Sequence, residues 1–137
     1  MLRKSKEHIF PKWLIARSGA KSIFAQRDGV RRTHSPNTLT ISMCEECNNE
    51  IGAKLEDPVS KAFADLENGR GLSDRECELL VRWLWKFEGI EWMSNFFENH
   101  KFRYSELYTL KQRVLGAGFG DIRNDLILGI SMIEVDE

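Results

Sequence analysis

At residue 44 the hydrophobic pattern changes period, and that change constrains the fold more than any other feature of the chain. Residues 38–43, TLTISM, alternate Leu39, Ile41 and Met43 with polar residues. A period of two marks a half-buried strand. From Glu45 onward Asn48, Ile51, Gly52 and Leu55 follow the spacing i, i+3, i+4, i+7, which is one face of a helix. Cys44 and Cys47 stand at the handover, three apart, and Asn48 follows at once. Two cysteines at this spacing are half a zinc site, and the chain has no second pair.

The pattern on either side of the junction differs. Residues 8–16, HIFPKWLIA, are apolar around Pro11 and read as a short strand entering a turn. KSIFAQRDGVRRTH reads as a hairpin turning at Asp28-Gly29. Downstream, Pro58 kinks or restarts the helix, and residues 68–71 break it. SDRE at 73–76 is a capping box, in which Ser73 and Glu76 satisfy each other's orphan amides. The helix it opens has Leu79, Leu80, Trp83, Leu84, Phe87 and Ile90 on its apolar side and runs into EWMSNFFEN. YSELYTLKQRVL is a further helix, AGFGD a loop, and LILGISMIEV a closing strand. Strands therefore come first and helices follow, an α+β fold: a core over residues 1–57 and a mostly helical extension over 58–137, packed as one domain.

Length and composition set the class. The chain has 137 residues, 42% apolar and 30% charged, enough for one domain with a modest core. No apolar run approaches the roughly 20 residues of a membrane span, and the basic start MLRKSKEHIF lacks a signal core. With three cysteines no disulfide framework is expected, and a cytoplasmic location follows. Net charge is −1, but it is unevenly spread. Residues 1–37 hold nine basic and two acidic residues (+7), and the other 100 hold 11 and 19 (−8). A basic front on an acidic body is a footprint for phosphate contact, although solvated surface charge would look the same.

Asn48 shares its helical face with Ile51 and Leu55, so it points inward, where an amide must find partners. An Asn bridging the strand layer is the plain reading. Glu7 and His8 lie side by side at a strand end. A carboxylate and an amide oxygen hold Mg²⁺ or a similar cation with waters still attached, and an imidazole takes a proton from water. Together the three suffice for metal-assisted hydrolysis of a phosphodiester. Other pairings of these groups stay open, because 40 residues separate Glu7 from Asn48. Cys77 reads as a core thiol, His100 as a surface or partly packed histidine, and Trp83, Trp85 and Trp92 as core aromatics. Glu56, about 80° round from Asn48 at the helical ~100° per residue, reads equally as a surface carboxylate or as a partner of a basic group near the site.

EHIFPKWL, followed by a strand and then CEECNNEIGAKLE, resembles the HNH endonucleases, a branch of the ββα-metal nucleases. The resemblance covers residues 7–56, and VRWLWKFEG is more loosely similar to the helical extension of some bacterial and phage relatives. It implies Glu7 as first metal ligand, His8 as general base and Asn48 as last metal ligand, with Mg²⁺ or Mn²⁺ as cofactor. It implies 3′-hydroxyl and 5′-phosphate products. The middle letter of the motif has no clean match, and Asn37 is the nearest residue. Cys44 and Cys47 fall where many members hold a structural zinc, whose other cysteine pair precedes the position of Glu7. Here no cysteine does. The expectation is therefore a core whose upstream zinc half was lost or lies outside this chain, with no zinc bound by this chain alone unless His34, Cys77 or a second subunit completes the site.

The reading is a metal-dependent endonuclease with a nucleic-acid partner, DNA ahead of RNA, and no membrane partner. Lys4, Lys6, Lys12, Arg31 and Arg32 are its expected phosphate contacts. Two rivals stand beside it: a descendant that binds nucleic acid without cutting, and an interaction module in which two chains share one zinc through Cys44 and Cys47. Substrate sequence and biological role, whether phage packaging, homing or bacterial defence, are not encoded in these features.

Overall fold

The computed structural model describes residues 3–27, 29–96 and 110–116. Its elements are β1 (Lys4–His8), α1 (Lys12–Ser18), β2 (Ile23–Arg27), β3 (Val30–His34), β4 (Thr40–Cys44), α2 (Glu45–Ile51), α3 (Asp57–Glu67), α4 (Asp74–Phe96) and α5 (Leu110–Leu115). The class is α+β, with two small antiparallel sheets.

β1 pairs with β4, with Lys4 opposite Cys44 and His8 opposite Thr40. The Ile9 amide extends the ladder to the Leu39 carbonyl at 3.0 Å. β2 and β3 form a separate hairpin. Gly29 supplies its turn at φ 77°, a left-handed backbone that costs glycine nothing. Asp28, the other expected turn residue, lies outside the described residues.

One expectation fails between the sheets. Part of the segment expected as a strand over residues 8–16 is helix α1, which begins directly after Pro11. Pro11 sits at the N-cap, where a residue without an N–H costs the helix nothing. Ile15 is buried, and Trp13 and Leu14 pack against the main core. Seven residues are too few to display a helical period, so the apolar run is ambiguous in sequence.

β4 hands over to α2 at Cys44 as the change of period predicts. The helical run then widens over Gly52–Glu56 into a π segment, in which the Asp57 amide reaches the Gly52 carbonyl five residues back. Pro58 follows at once. It has no N–H for the Lys54 carbonyl and its ring crowds that group, so the wider turn falls where an α-turn would be strained. The run continues through α3 to Glu67, and Gly69 (φ 75°) lies at the start of the break that follows.

The capping box forms as expected. The Ser73 amide and hydroxyl both donate to Glu76 at 2.7 Å, and the Glu76 amide donates to the Ser73 hydroxyl at 3.3 Å. The Ser73 amide, then its hydroxyl, hold the Glu76 carboxyl below its usual pKa. α4 then buries Leu80, Trp83 and Ile90, but Leu84 faces out at 43% exposure, against expectation. The core joins Ile51, Leu55 and Val59 to Leu80, Trp83 and Val114. Each such side chain contributes about 1.5–3 kcal/mol when fully buried. At Gly89 on α4 a Cβ would come 2.9 Å from the terminal Cδ1 of Leu110 on α5, a contact that a shift of the leucine side chain would relieve. Arg82 donates to the Val114 and Gly116 carbonyls at 3.0 and 3.2 Å, closing the C-terminal end of α5.

No described helix is long and apolar enough to cross a membrane. The expected start of the last helix at 104–109, the loop at 117–121, the closing strand at 126–135, His100 and the Trp92 side chain lie outside the described residues.

Candidate functional site

Strand alternation divides the residues of β1 between two faces. Ser5 and Glu7 are half-buried, while Lys4 and Lys6 are exposed. Ser5 and Glu7 meet the helices. The Asn48 side-chain amide donates to the Ser5 hydroxyl at 3.0 Å, and that hydroxyl lies 3.5 Å from the Met43 carbonyl. Asn48 is thus tied by its nitrogen to the residue two before Glu7 on the same strand face. Its carbonyl oxygen takes no hydrogen bond among the described residues.

Glu7 has a partner that its sequence neighbourhood does not announce. One carboxylate oxygen, Oε1, accepts from the ammonium of Lys86 on α4. Lys86 is only 2% exposed and donates equally to Glu56 Oε1. Glu56 is itself buried, so its reading as a surface carboxylate is wrong. It accepts from the indole N–H of Trp13 at 2.6 Å and of Trp83 at 3.1 Å as well as from Lys86. Every one of these partners is a pure donor, the set an acceptor-only carboxylate requires. Above the network, Trp13, Phe63, Trp83 and Phe87 stack at centroid separations of 5.3–5.9 Å. The network links β1, α1, the π segment and α4. Glu7 Oε2 takes no hydrogen bond among the described residues.

Two signals could have exposed this network. Lys86 lies three residues after Trp83 and four before Ile90, so it is the one cation within the apolar stripe. The other is Glu56, whose pairing with a basic group near the site was one of its two readings; the π segment, which turns more slowly per residue than an α-helix, lies where its angle was counted at the α-helical rate.

His8 is half-buried on the strand face opposite Glu7, with no hydrogen-bond partner among the described residues. Lys12, Arg31 and Arg32 are exposed, like Lys4 and Lys6. Arg31 lies over the Phe24 ring, 4.3 Å from its centroid, on the hairpin. Asn37 is exposed in a 3₁₀ turn, Pro36–Thr38.

Cys44 and Cys47 are half-buried free thiols in mutual contact. The Cys47 backbone amide, then its thiol, lower the pKa of Cys44. Donating to Cys44, and then burial, raise that of Cys47. Cys77 and His34 are also half-buried. Among the described residues no three His, Cys, Asp or Glu side chains gather closely enough to hold a metal between them. No family model, curated protein or solved structure matches the chain. A groove of about 780 Å³ runs beside Lys54, Asp74 and Val114, and none of Glu7, His8 and Asn48 lines it.

A carboxylate and an amide oxygen are donor types that a hard divalent cation takes. Glu7 and Asn48 each use one polar atom to fix their orientation and keep one oxygen without a protein partner. An ion such as Mg²⁺ is commonly held through one or two carboxylates and several waters, not by a full protein cage.

Proposed function

We propose that the chain is an HNH-type, metal-dependent endonuclease that hydrolyses phosphodiester bonds. The observation that carries this reading is the convergence of Glu7 and Asn48, distant in sequence, on one face of β1, each tethered through one atom and open at one oxygen. Glu7 Oε2 and Asn48 Oδ1 are the protein ligands. A bound Mg²⁺ or Mn²⁺ would supply the charge that stabilises a phosphate oxygen and the leaving 3′ oxygen.

His8 is the general base. Strand alternation sets His8 and Glu7 on opposite faces of β1, so the base and the metal ligands reach one phosphate only where it wraps the end of the strand. Its imidazole has no hydrogen-bond partner among the described residues and would take the proton of water. Lys4 and Lys6 share the outward face of β1 with His8 and position the phosphate backbone. Lys12, Arg31 and Arg32 extend the track. DNA is the proposed substrate ahead of RNA.

A second reading has a specific observation in its favour. Lys86 already neutralises one oxygen of Glu7, as it would in a descendant that binds nucleic acid and does not cut. Nicking of supercoiled plasmid with Mg²⁺ or Mn²⁺, with and without chelator, separates the two. The nuclease reading predicts metal-dependent nicking that His8→Ala slows by about 10²–10⁴, the usual worth of a general base. Binding without nicking in any metal supports the second.

A further inference from the structure

We propose that Glu56 and Lys86 are positioning residues that set the cation affinity of the Glu7–Asn48 site. The inference rests on the metal-site reading above. Lys86 needs an explanation on any account. A buried ammonium is costly, and a whole buried ion cluster replaced by apolar side chains often leaves stability as high or higher. Its neighbours on the helix, Trp83 and Ile90, show that an apolar residue would suit the face.

What Lys86 does is hold Glu7 by one oxygen. That fixes the carboxylate through Oε1 and leaves Oε2 without a hydrogen bond among the described residues, on the strand face that Glu7 shares with Ser5. Partners of this kind orient ligands and tune metal sites in general. An ammonium beside a ligand carboxylate would by itself repel a divalent cation. Glu56 removes that conflict. One ammonium between two carboxylates leaves one net negative charge, so the cluster still attracts a cation. The Trp13 and Trp83 indoles hold Glu56 in place. The tie to Glu56 also keeps Lys86 from moving wholly onto Glu7.

Glu56 therefore acts on the metal through charge at a distance, and Trp13 acts only through the position of Glu56. These roles separate experimentally. Free Mn²⁺ is measured by electron paramagnetic resonance against the full chain, with no nucleic acid present. Glu56→Gln should weaken Mn²⁺ binding by about tenfold or more, as expected for loss of a nearby unit charge at low screening. Trp13→Phe keeps that charge and should lower the melting temperature while leaving Mn²⁺ affinity within about twofold. If Glu56→Gln binds Mn²⁺ as the parent does, and the parent nicks plasmid, the positioning role is overturned and the nuclease reading stands. If the parent binds no Mn²⁺, both fall.

Should Glu56→Gln fail to fold, the unaltered chain carries the test. Substoichiometric Mn²⁺ should broaden the ¹⁵N-labelled Lys86 ammonium signal before the Trp13 indole signal. Equal or reversed broadening would overturn the proposal.

Discussion

The two faces of β1 are built on opposite principles. On the inward face Ser5 and Glu7 are tied to side chains 43 and 79 residues away. On the outward face Lys4 and Lys6 are exposed, and His8 has no hydrogen-bond partner among the described residues. The inward groups are held by several partners, and the outward groups are left to solvent, as the proposed division between metal ligands and phosphate contacts would require. The same contrast separates the core from the β2–β3 hairpin, where Phe24 is 66% exposed and Arg31 lies over it.

The largest expected effect breaks the inward face. Lys86→Met leaves two carboxylates without their cation, and such one-sided deletions cost about 3–5 kcal/mol. Chemical denaturation should show a loss of that size. A stability equal to the parent's would mean that Lys86 does not carry the network.

Changes on the outward side and the hairpin should act on binding instead of folding. Arg31→Ala with Arg32→Ala should reduce the slope of log affinity against log salt by about 1.8 if both contact phosphates of duplex DNA. The melting temperature should hold. An unchanged slope moves the footprint away from the hairpin.

A smaller effect lies between helices. Glu50 on α2 accepts from Lys111 on α5 and from Lys54, and these contacts, Lys111 foremost, lower its pKa to about 2. A carboxylate with a depressed pKa stabilises the fold above its ordinary value of 4.5 and loses that contribution as pH falls through about 2. Glu50→Gln should therefore lower the melting temperature slightly at pH 7, and the difference from the parent should vanish as pH falls toward 2. A difference that persists at pH 2 would assign the effect to packing.

The smallest change is expected at the half clamp. Cys44→Ser with Cys47→Ser exchanges two half-buried thiols for hydroxyls and should shift stability by no more than about 0.5 kcal/mol. Zinc-replete protein that unfolds on chelation would contradict this and show that further ligands complete the site.

What the sequence discloses about this molecule is local. The Asp28-Gly29 turn, the Ser73–Glu76 box and the change of period at Cys44 are each written within a few residues, and the hairpin, α4 and the β4–α2 junction follow from them. Asn48 was legible as an inward amide for the same reason. Helix α1 was not, because seven residues after a proline do not complete a period. For Glu56 the pairing with a basic group was one of two open readings, and the π segment, which alters the angular phase, kept the α-helical angle from deciding between them. The Glu7–Lys86 contact joins residues 79 apart, and no local pattern encodes that distance; only the anomaly of a lysine in an apolar stripe pointed to it. The role of His8 rests on the resemblance alone, since no local pattern around it specifies a general base.

The division of labour across β1 is tested most directly by Mn²⁺ titration of plasmid nicking, run in parallel for the parent, His8→Ala and Asn48→Ala. The account predicts that His8→Ala lowers the maximal rate by about 10²–10⁴ with an unchanged Mn²⁺ midpoint, and that Asn48→Ala moves the midpoint to higher Mn²⁺ as well as slowing the reaction. Equal midpoints and equal maximal rates in all three proteins would contradict it.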